Sequence, residues 1–352
     1  MFVYVGGYTE PDRGGRGEGI SVFALDESSG QLESVQVQGG VANPSFLALA
    51  PDARFLFCVN GGNADGASSF GINTRSGRIT PLSHQDIGSN NPAHICVAPD
   101  GRHVLTANYS GGTVSVLPVH TDGRIGAPTQ VLRHEGPTGP HPRRQDKPHP
   151  HMALFDPTGQ FALVNDLGLD RTFVYRLENG TLVANDPPFG QVRPGVGPRH
   201  ACFHPNGRFL YVINELDSTL AVFAWDAERG ALHEIEHAST LPHGYAGQNT
   251  TAQVVVHPSG QFVYGSNRGH DSIAIFAIDE STGQITPRGH ESTQGHTPRN
   301  FNIDPDGRFL FAANQDSDSV VGFRIDGGSG QLVPTGQVVS VGSPTCVLFQ
   351  SY

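Results

Sequence analysis

One phrase recurs six times along the chain: a proline, a short polar turn that nearly always holds glycine, then an apolar strand. It reads APDARFLF, APDGRHVL, DPTGQFAL, HPNGRFLY, HPSGQFVY and DPDGRFLF, with prolines at 51, 99, 157, 205, 258 and 305. The spacings are 48, 58, 48, 53 and 47 residues. Each unit continues alike, as in STLAVFAWDAERGALHEI: a third strand, an acidic turn with glycine, and a shorter fourth strand. No segment carries a 3.6-residue apolar period. Four-stranded units at this spacing predict the blades of a β-propeller.

A seventh blade is split between the chain's ends. SPTCVLF near the C-terminus matches a first strand, and MFVYVGGYT, GISVFALD and QLESVQV supply the second, third and fourth. Pairing end with beginning closes the ring and leaves no free sheet edge. The expectation is therefore an all-β, seven-bladed propeller of antiparallel blades, one domain over residues 1–352. Two separate β-domains would leave the incomplete terminal blade unexplained. Composition agrees, because 45 glycines and 26 prolines in 352 residues supply turns for many short strands.

A net charge of −11 argues against a nucleic-acid surface, so an anionic ligand would need a local basic patch. No apolar run is long enough to cross a bilayer, and MFVYVGGYTE lacks a basic leader with an apolar core. Cys58, Cys96, Cys202 and Cys346 lie singly in apolar strands, without metal-ligand spacing. Buried structural thiols, a cytoplasmic protein, and a monomer or weak homo-oligomer are expected.

In an antiparallel meander the start of the first strand and the end of the second lie at one end of the blade. These two places can be compared blade by blade. First strands begin at Pro44, Pro92, Pro150, Pro198 and Pro298, and the next residue varies: Ser45, Ala93, His151, Arg199 and Arg299. Second strands end on a nearly fixed residue, Asn60, Asn108, Asp166, Asn214, Asn267 and Asn314, which suits a structural cap of its own turn. The residue after it diverges: Gly61, Tyr109, Leu167, Glu215, Arg268 and Gln315. Scaffold positions repeat in a repeat protein, and binding positions need not. His149, His151, Arg199, His200, Glu215, Arg268 and Arg299 are therefore expected to face one pocket at the channel mouth.

The longest spacing contains an insertion, HEGPTGPHPRRQDKPHPH, over residues 134–151. Arg143, Arg144 and Lys147 make it locally basic, and its prolines suit a semi-rigid lid over the same mouth. His94 and His200 share one strand register, which points to packing or backbone hydrogen bonding for both.

KPHPHMALFDPTGQF, GPRHACFHPNGRFLYVINELDS, SNRGHDSIAIF and TPRNFNIDPDGRFLFAANQDSDS resemble the seven-bladed lactonase family over essentially the whole chain. That family includes bacterial propeller-type 6-phosphogluconolactonases and fungal 3-carboxy-cis,cis-muconate lactonizing enzymes. The resemblance implies a site made from the histidine of PHPH, the arginine of GPRH, the glutamate of NEL and the arginine of NRG. Here these are His149, Arg199, Glu215 and Arg268. Two departures bear on substrate preference: GPHPRRQ has His141 where relatives often have asparagine, and Thr251 stands where other blades begin with proline.

Lactone hydrolysis needs an activated water and stabilisation of the developing oxyanion. Glu215 or His149 is expected as the base, with Arg199 and Arg268 binding the anionic substrate and its transition state. His151, His200, Arg144, Arg299, Asn300 and Gln315 complete the expected substrate-binding set. The implied substrate is a small anionic sugar lactone, 6-phospho-glucono-1,5-lactone foremost, with no cofactor. A cycloisomerase of the muconate type, another sugar-acid lactonase and a non-enzymatic binding propeller are the competing readings. No metal site is expected, because the pair His149-x-His151 lacks a third ligand at fixed spacing.

Overall fold

Each Pro-x-Gly phrase folds as the tight turn of a hairpin. In the computed structural model, which describes residues 1–62 and 65–350, Gly207 has φ 71° and donates its N–H to the His204 carbonyl at 2.9 Å. A left-handed backbone at that position explains why glycine recurs there. The turn joins the inner strand Pro198–Phe203 to Phe209–Asn214, and Thr219–Asp226 and Ala231–Ser239 complete the blade.

The same meander repeats to give seven four-stranded antiparallel sheets. In the split blade Pro344–Gln350 is the inner strand and pairs with Phe2–Gly7, with Val3 opposite Phe349. The ring is thus closed by hydrogen bonds between the two ends of the chain. Among the described residues the only helical pieces are two 3-10 turns, Pro11–Arg13 and Gln315–Ser317.

Alternate residues on both faces of each sheet are apolar, so the core lies between blades rather than inside one. Phe209, Tyr211 and Ile213 of one blade pack with Val254, Val263 and Phe276 of the next. Val3 and Phe23 meet Phe309 and Phe311 across the closing seam. Buried tyrosines add polar ties: Tyr4, Tyr211 and Tyr264 donate to the carbonyls of Gly77, Gly283 and Gly330 in the following blade, at 2.9–3.0 Å.

The fixed Asn/Asp position is structural, but mostly not as a cap of its own turn. Asp166 does cap it, accepting from Gly168 and Leu169 N–H and also from His149 N–H. Asn60, Asn267 and Asn314 instead donate to the carbonyls of Ala42, Thr240 and Thr293, which end or follow an outer strand. The carboxamide carries two donors that a carboxylate lacks, and these reach the strand connections rather than the turn.

The inner strands do not start regularly. A β-bulge follows the first residue in the strands beginning at Pro92, Pro150, Pro198 and Pro298, which makes Ala93, His151, Arg199 and Arg299 the extra residues. A bulge re-aims side chains that strict alternation would send to opposite faces. Arg199 and His200, adjacent in sequence, accordingly line the same recess.

Candidate active site

The bulged strand starts and the second-strand ends converge on a cavity of about 360 Å³. Ala93, His151 and Arg299 come from the former, Tyr8, Tyr109, Glu215 and Arg268 from the latter, and Arg144 reaches in from the insertion. A smaller recess shares Tyr8, Ala93 and Arg299 with it and adds Ser45, Phe46, Arg199, His200 and Thr345.

Among the described residues Glu215 is the one carboxylate of the cavity wall, and it is only 2% exposed. Its Oε2 accepts from Arg199 Nε at 2.8 Å and lies 3.2 Å from Arg268 Nη2, while Oε1 accepts from Arg144 Nη2. Burial alone would raise its pKa, but the charges of Arg268, Arg199 and Arg144 outweigh it and hold the acid at about 2. The arginines are fixed in turn, since Arg199 Nη1 donates to the Ala252 carbonyl at 2.6 Å and Arg268 Nη2 to that of Thr251 at 2.7 Å. A guanidinium can engage acid and carbonyl together because its donors form a planar fork.

The two histidines of PHPH take different places. His149 stacks on Tyr109 with ring centroids 4.3 Å apart, and its two nitrogens face the Tyr109 carbonyl and Asp146 Oδ1, each at 2.9 Å. Both ring nitrogens are thus occupied by protein groups, and His149 does not line the cavity. His151 does line it, edge-on to Tyr109 and to His200, and neither ring nitrogen has a partner among the described residues. Burial first, then Arg199, His200, Arg299 and Arg268, push its pKa well below 6.5, so the imidazole is neutral at pH 7.

His94 and His200 pack as expected: His94 lies 4.0 Å from the Phe46 ring and 5.6 Å from that of His200. Neither bonds to backbone. His200 Nδ1 meets Gln253 Oε1, and burial followed by the charge of Arg199 lowers His94 to about 3. Asn300 is drawn into the scaffold, accepting from Val347 N–H at 2.9 Å, and Gln315 bonds to Asp316 at the start of a 3-10 turn, away from the cavity.

The insertion is pinned rather than free. Gln145, 2% exposed, donates to the Leu167 carbonyl and to Asp170 Oδ1 and accepts from His141 N–H. This anchors Arg144, which also donates Nε to the Tyr109 hydroxyl at 3.2 Å. Arg143 lines a wider groove outside Arg144, and Lys147 donates to the Ser110 carbonyl at 2.8 Å.

Sequence comparison missed Tyr8, Arg13 and Asn91, and it flagged Tyr109 without assigning it to the site. Tyr8 had a signal: Gly7 pairs with Pro344 as Asn214 pairs with Pro198, so Tyr8 occupies the divergent position of the split blade. Arg13 lies outside the repeat and had none.

The wall therefore holds four arginines, Arg13, Arg144, Arg268 and Arg299, against one carboxylate, with Arg199 behind them. In a chain of net charge −11 these arginines form the local basic patch that an anionic ligand would need. Among the described residues no group of three His, Cys, Asp or Glu is arranged to hold a metal ion, and no helix is long and apolar enough to cross a membrane.

A 6-phosphogluconolactonase of Bacillus subtilis is 35% identical over 302 residues, 86% of this chain and 84% of that protein. Another protein of that name, from Formosa agariphila, is 32% identical over 311 residues, 86% of each chain. The solved structure of a periplasmic gluconolactonase from Pseudomonas aeruginosa superposes with a TM-score of 0.92 at 35% identity, covering 99% of both chains. The family model for the seven-bladed β-propeller lactonases matches residues 2–349. The chain belongs to the seven-bladed β-propeller lactonase family.

Proposed function

We propose that the protein hydrolyses 6-phospho-glucono-1,5-lactone to 6-phosphogluconate, the lactone-opening step of the pentose phosphate pathway. The observation that carries this reading is a neutral, unpartnered imidazole, His151, lining a cavity walled by arginines. Water attacks C1 while His151 takes its proton. Arg268 and Arg144 stabilise the oxyanion on the carbonyl oxygen, and the C1–O5 bond then breaks as protonated His151 returns the proton to O5. Geometry favours His151 as base over both earlier candidates. Glu215 has its oxygens bound to three guanidiniums, and His149 has both nitrogens occupied. Glu215 then acts as the counter-ion that aligns Arg144, Arg199 and Arg268. His200 packs edge-on against His151, with ring centroids 5.0 Å apart.

A second reading has one specific support: the Pseudomonas relative is a gluconolactonase, so an unphosphorylated sugar lactone is the competing substrate. A phosphorylated substrate fits a cytoplasmic setting, and the four cysteines are all free thiols. The deciding experiment assays purified protein on 6-phosphogluconolactone, gluconolactone and carboxymuconate, each against its spontaneous rate. Preference for the first supports the proposal. Turnover of none, or of carboxymuconate alone, rejects it.

A further inference from the structure

The split blade differs from the others in one loop. Twelve residues, 8–19, join its second and third strands, where 109–112, 167–170, 215–218 and 315–318 do the same with four. The loop is bound to neighbouring blades at several points. Asn43 Oδ1 accepts from Thr9 and Glu10 N–H at 2.9 and 3.0 Å, and its Nδ2 donates to Glu10 Oε2 at 2.8 Å. Arg16 pairs with Asp318 at 2.6 Å. The 3-10 turn Pro11–Arg13 thereby carries Arg13 over the mouth, where Nη2 donates to Asn91 Oδ1 at 2.6 Å.

Arg13 and Arg299 differ from the other cavity arginines in one respect. Arg144, Arg199 and Arg268 are matched by Glu215, whereas neither Arg13 nor Arg299 has an ion pair among the described residues. Arg13 bonds only to a neutral carboxamide, and Arg299 lies over the Tyr8 ring at 5.5 Å. The one cavity thus holds His151, a cluster of cations paired with Glu215, and two further cations, Arg13 and Arg299, that make no ion pair among the described residues. Two guanidiniums match the charge and oxygen acceptors of a phosphate monoester, and fork-shaped donors bind it bidentately.

We propose that residues 8–19 complete a phosphate subsite in which Arg13 and Arg299 hold the phosphorylated end of the substrate while the lactone lies against His151. The proposal rests on the lactonase reading of the same cavity and deepens it: this loop sets the preference for a phosphorylated over an unphosphorylated lactone.

The test is Arg13→Gln beside Arg13→Lys, assayed on 6-phosphogluconolactone and gluconolactone, with inorganic phosphate binding measured by calorimetry. Arg13→Gln is expected to lower the ratio of kcat/KM for the phosphorylated over the unphosphorylated lactone by about ten- to a hundredfold, mainly through KM. It should weaken phosphate binding by a similar factor, and Arg13→Lys should restore part of both. An unchanged ratio with unchanged phosphate binding overturns the subsite while leaving lactonase activity standing. Arg13-dependent phosphate binding in a protein that opens no lactone keeps the subsite and rejects the lactonase reading. If Arg13→Gln does not fold, Arg13→Lys decides: a ratio of kcat/KM and a phosphate affinity that both fall part of the way support the subsite, and a wild-type ratio with wild-type phosphate affinity, or loss of turnover on both lactones alike, overturns it.

Discussion

Glu215 Oε2 accepts from Arg199 Nε at 2.8 Å, with both side chains only 2–3% exposed. The two residues stand at opposite ends of one hairpin, and the pairing of Pro198 with Asn214 brings those ends together. With the partly exposed Arg144 and Arg268 the acid forms a cluster of three cations and one anion around a buried Arg199–Glu215 pair. Such a cluster is tolerable only while every member keeps its partner. That makes Glu215 a structural requirement of the site before it is anything else.

Replacing Glu215 with glutamine leaves the buried Arg199, with the partly exposed Arg268 and Arg144, facing a neutral amide, at an expected cost of about 3–5 kcal/mol in urea unfolding. The acid's folded pKa, about 2, lies below its ordinary 4.5, so its stabilisation is full above pH 4.5 and lost as pH falls toward 2. The stability gap between wild type and Glu215→Gln should narrow across that window. A gap as wide at pH 3 as at pH 7 would refute the cluster's role.

His151→Asn should cut kcat about 10²- to 10⁴-fold, the usual contribution of a general base, with little change in the unfolding midpoint. Because burial and neighbouring arginines hold the His151 pKa well below 6.5, the base form persists through neutral pH. The acid limb of wild-type kcat/KM should therefore fall well below pH 6.5. A limb centred at 6.5, or a His151→Asn enzyme with normal kcat, removes His151 from the mechanism.

Gly168 tests how the insertion is seated. A Cβ there would stand 1.9 Å from the Lys147 carbonyl and 3.0 Å from His149 N, both backbone atoms just before His151. Gly168→Ala must displace that segment, and a shift near 1 Å in catalytic groups costs roughly a hundredfold. Activity should fall by at least tenfold, while the interblade contacts, which lie elsewhere, keep the protein folded by circular dichroism. Unimpaired turnover would show that the segment moves without consequence.

The fold was legible because each blade repeats its turn, so six proline phrases and their spacing define the ring, and the incomplete ends name the seventh blade. The candidate site was legible wherever a residue departs from the repeat, as with Arg199, Glu215, Arg268 and Arg299, which the fold brings to one mouth. Tyr8, at the divergent position of the split blade, was harder to place because that blade has no turn phrase to count from. The bulges were hidden, so the PHPH motif could not say which histidine faces the cavity. Alternation groups His149 with His151, whereas the bulge after Pro150 and the hydrogen bonds of His149 separate them. Arg13 belongs to a loop found in no other blade, and internal comparison has nothing to say about such a residue.

The one turn phrase without glycine supplies a stability test. APDARFLF places Ala53 where the other five have glycine, and the backbone is the same: φ is 55°, and Ala53 N–H donates to the Ala50 carbonyl at 2.8 Å. An L-residue in the left-handed region costs roughly 1–2 kcal/mol. Glycine removes that strain but has more unfolded-state freedom to lose, worth roughly 0.5–1 kcal/mol. Ala53→Gly should therefore stabilise the protein by about 0.5–1 kcal/mol in urea unfolding. The control Gly207→Ala introduces the same strain in a turn with φ 71° and should destabilise by a similar amount. Both changes lie at the turn end of the inner strand, away from the cavity, so lactone turnover should be unaltered. Destabilisation by Ala53→Gly would mean that the methyl group contributes more through packing than the backbone loses through strain.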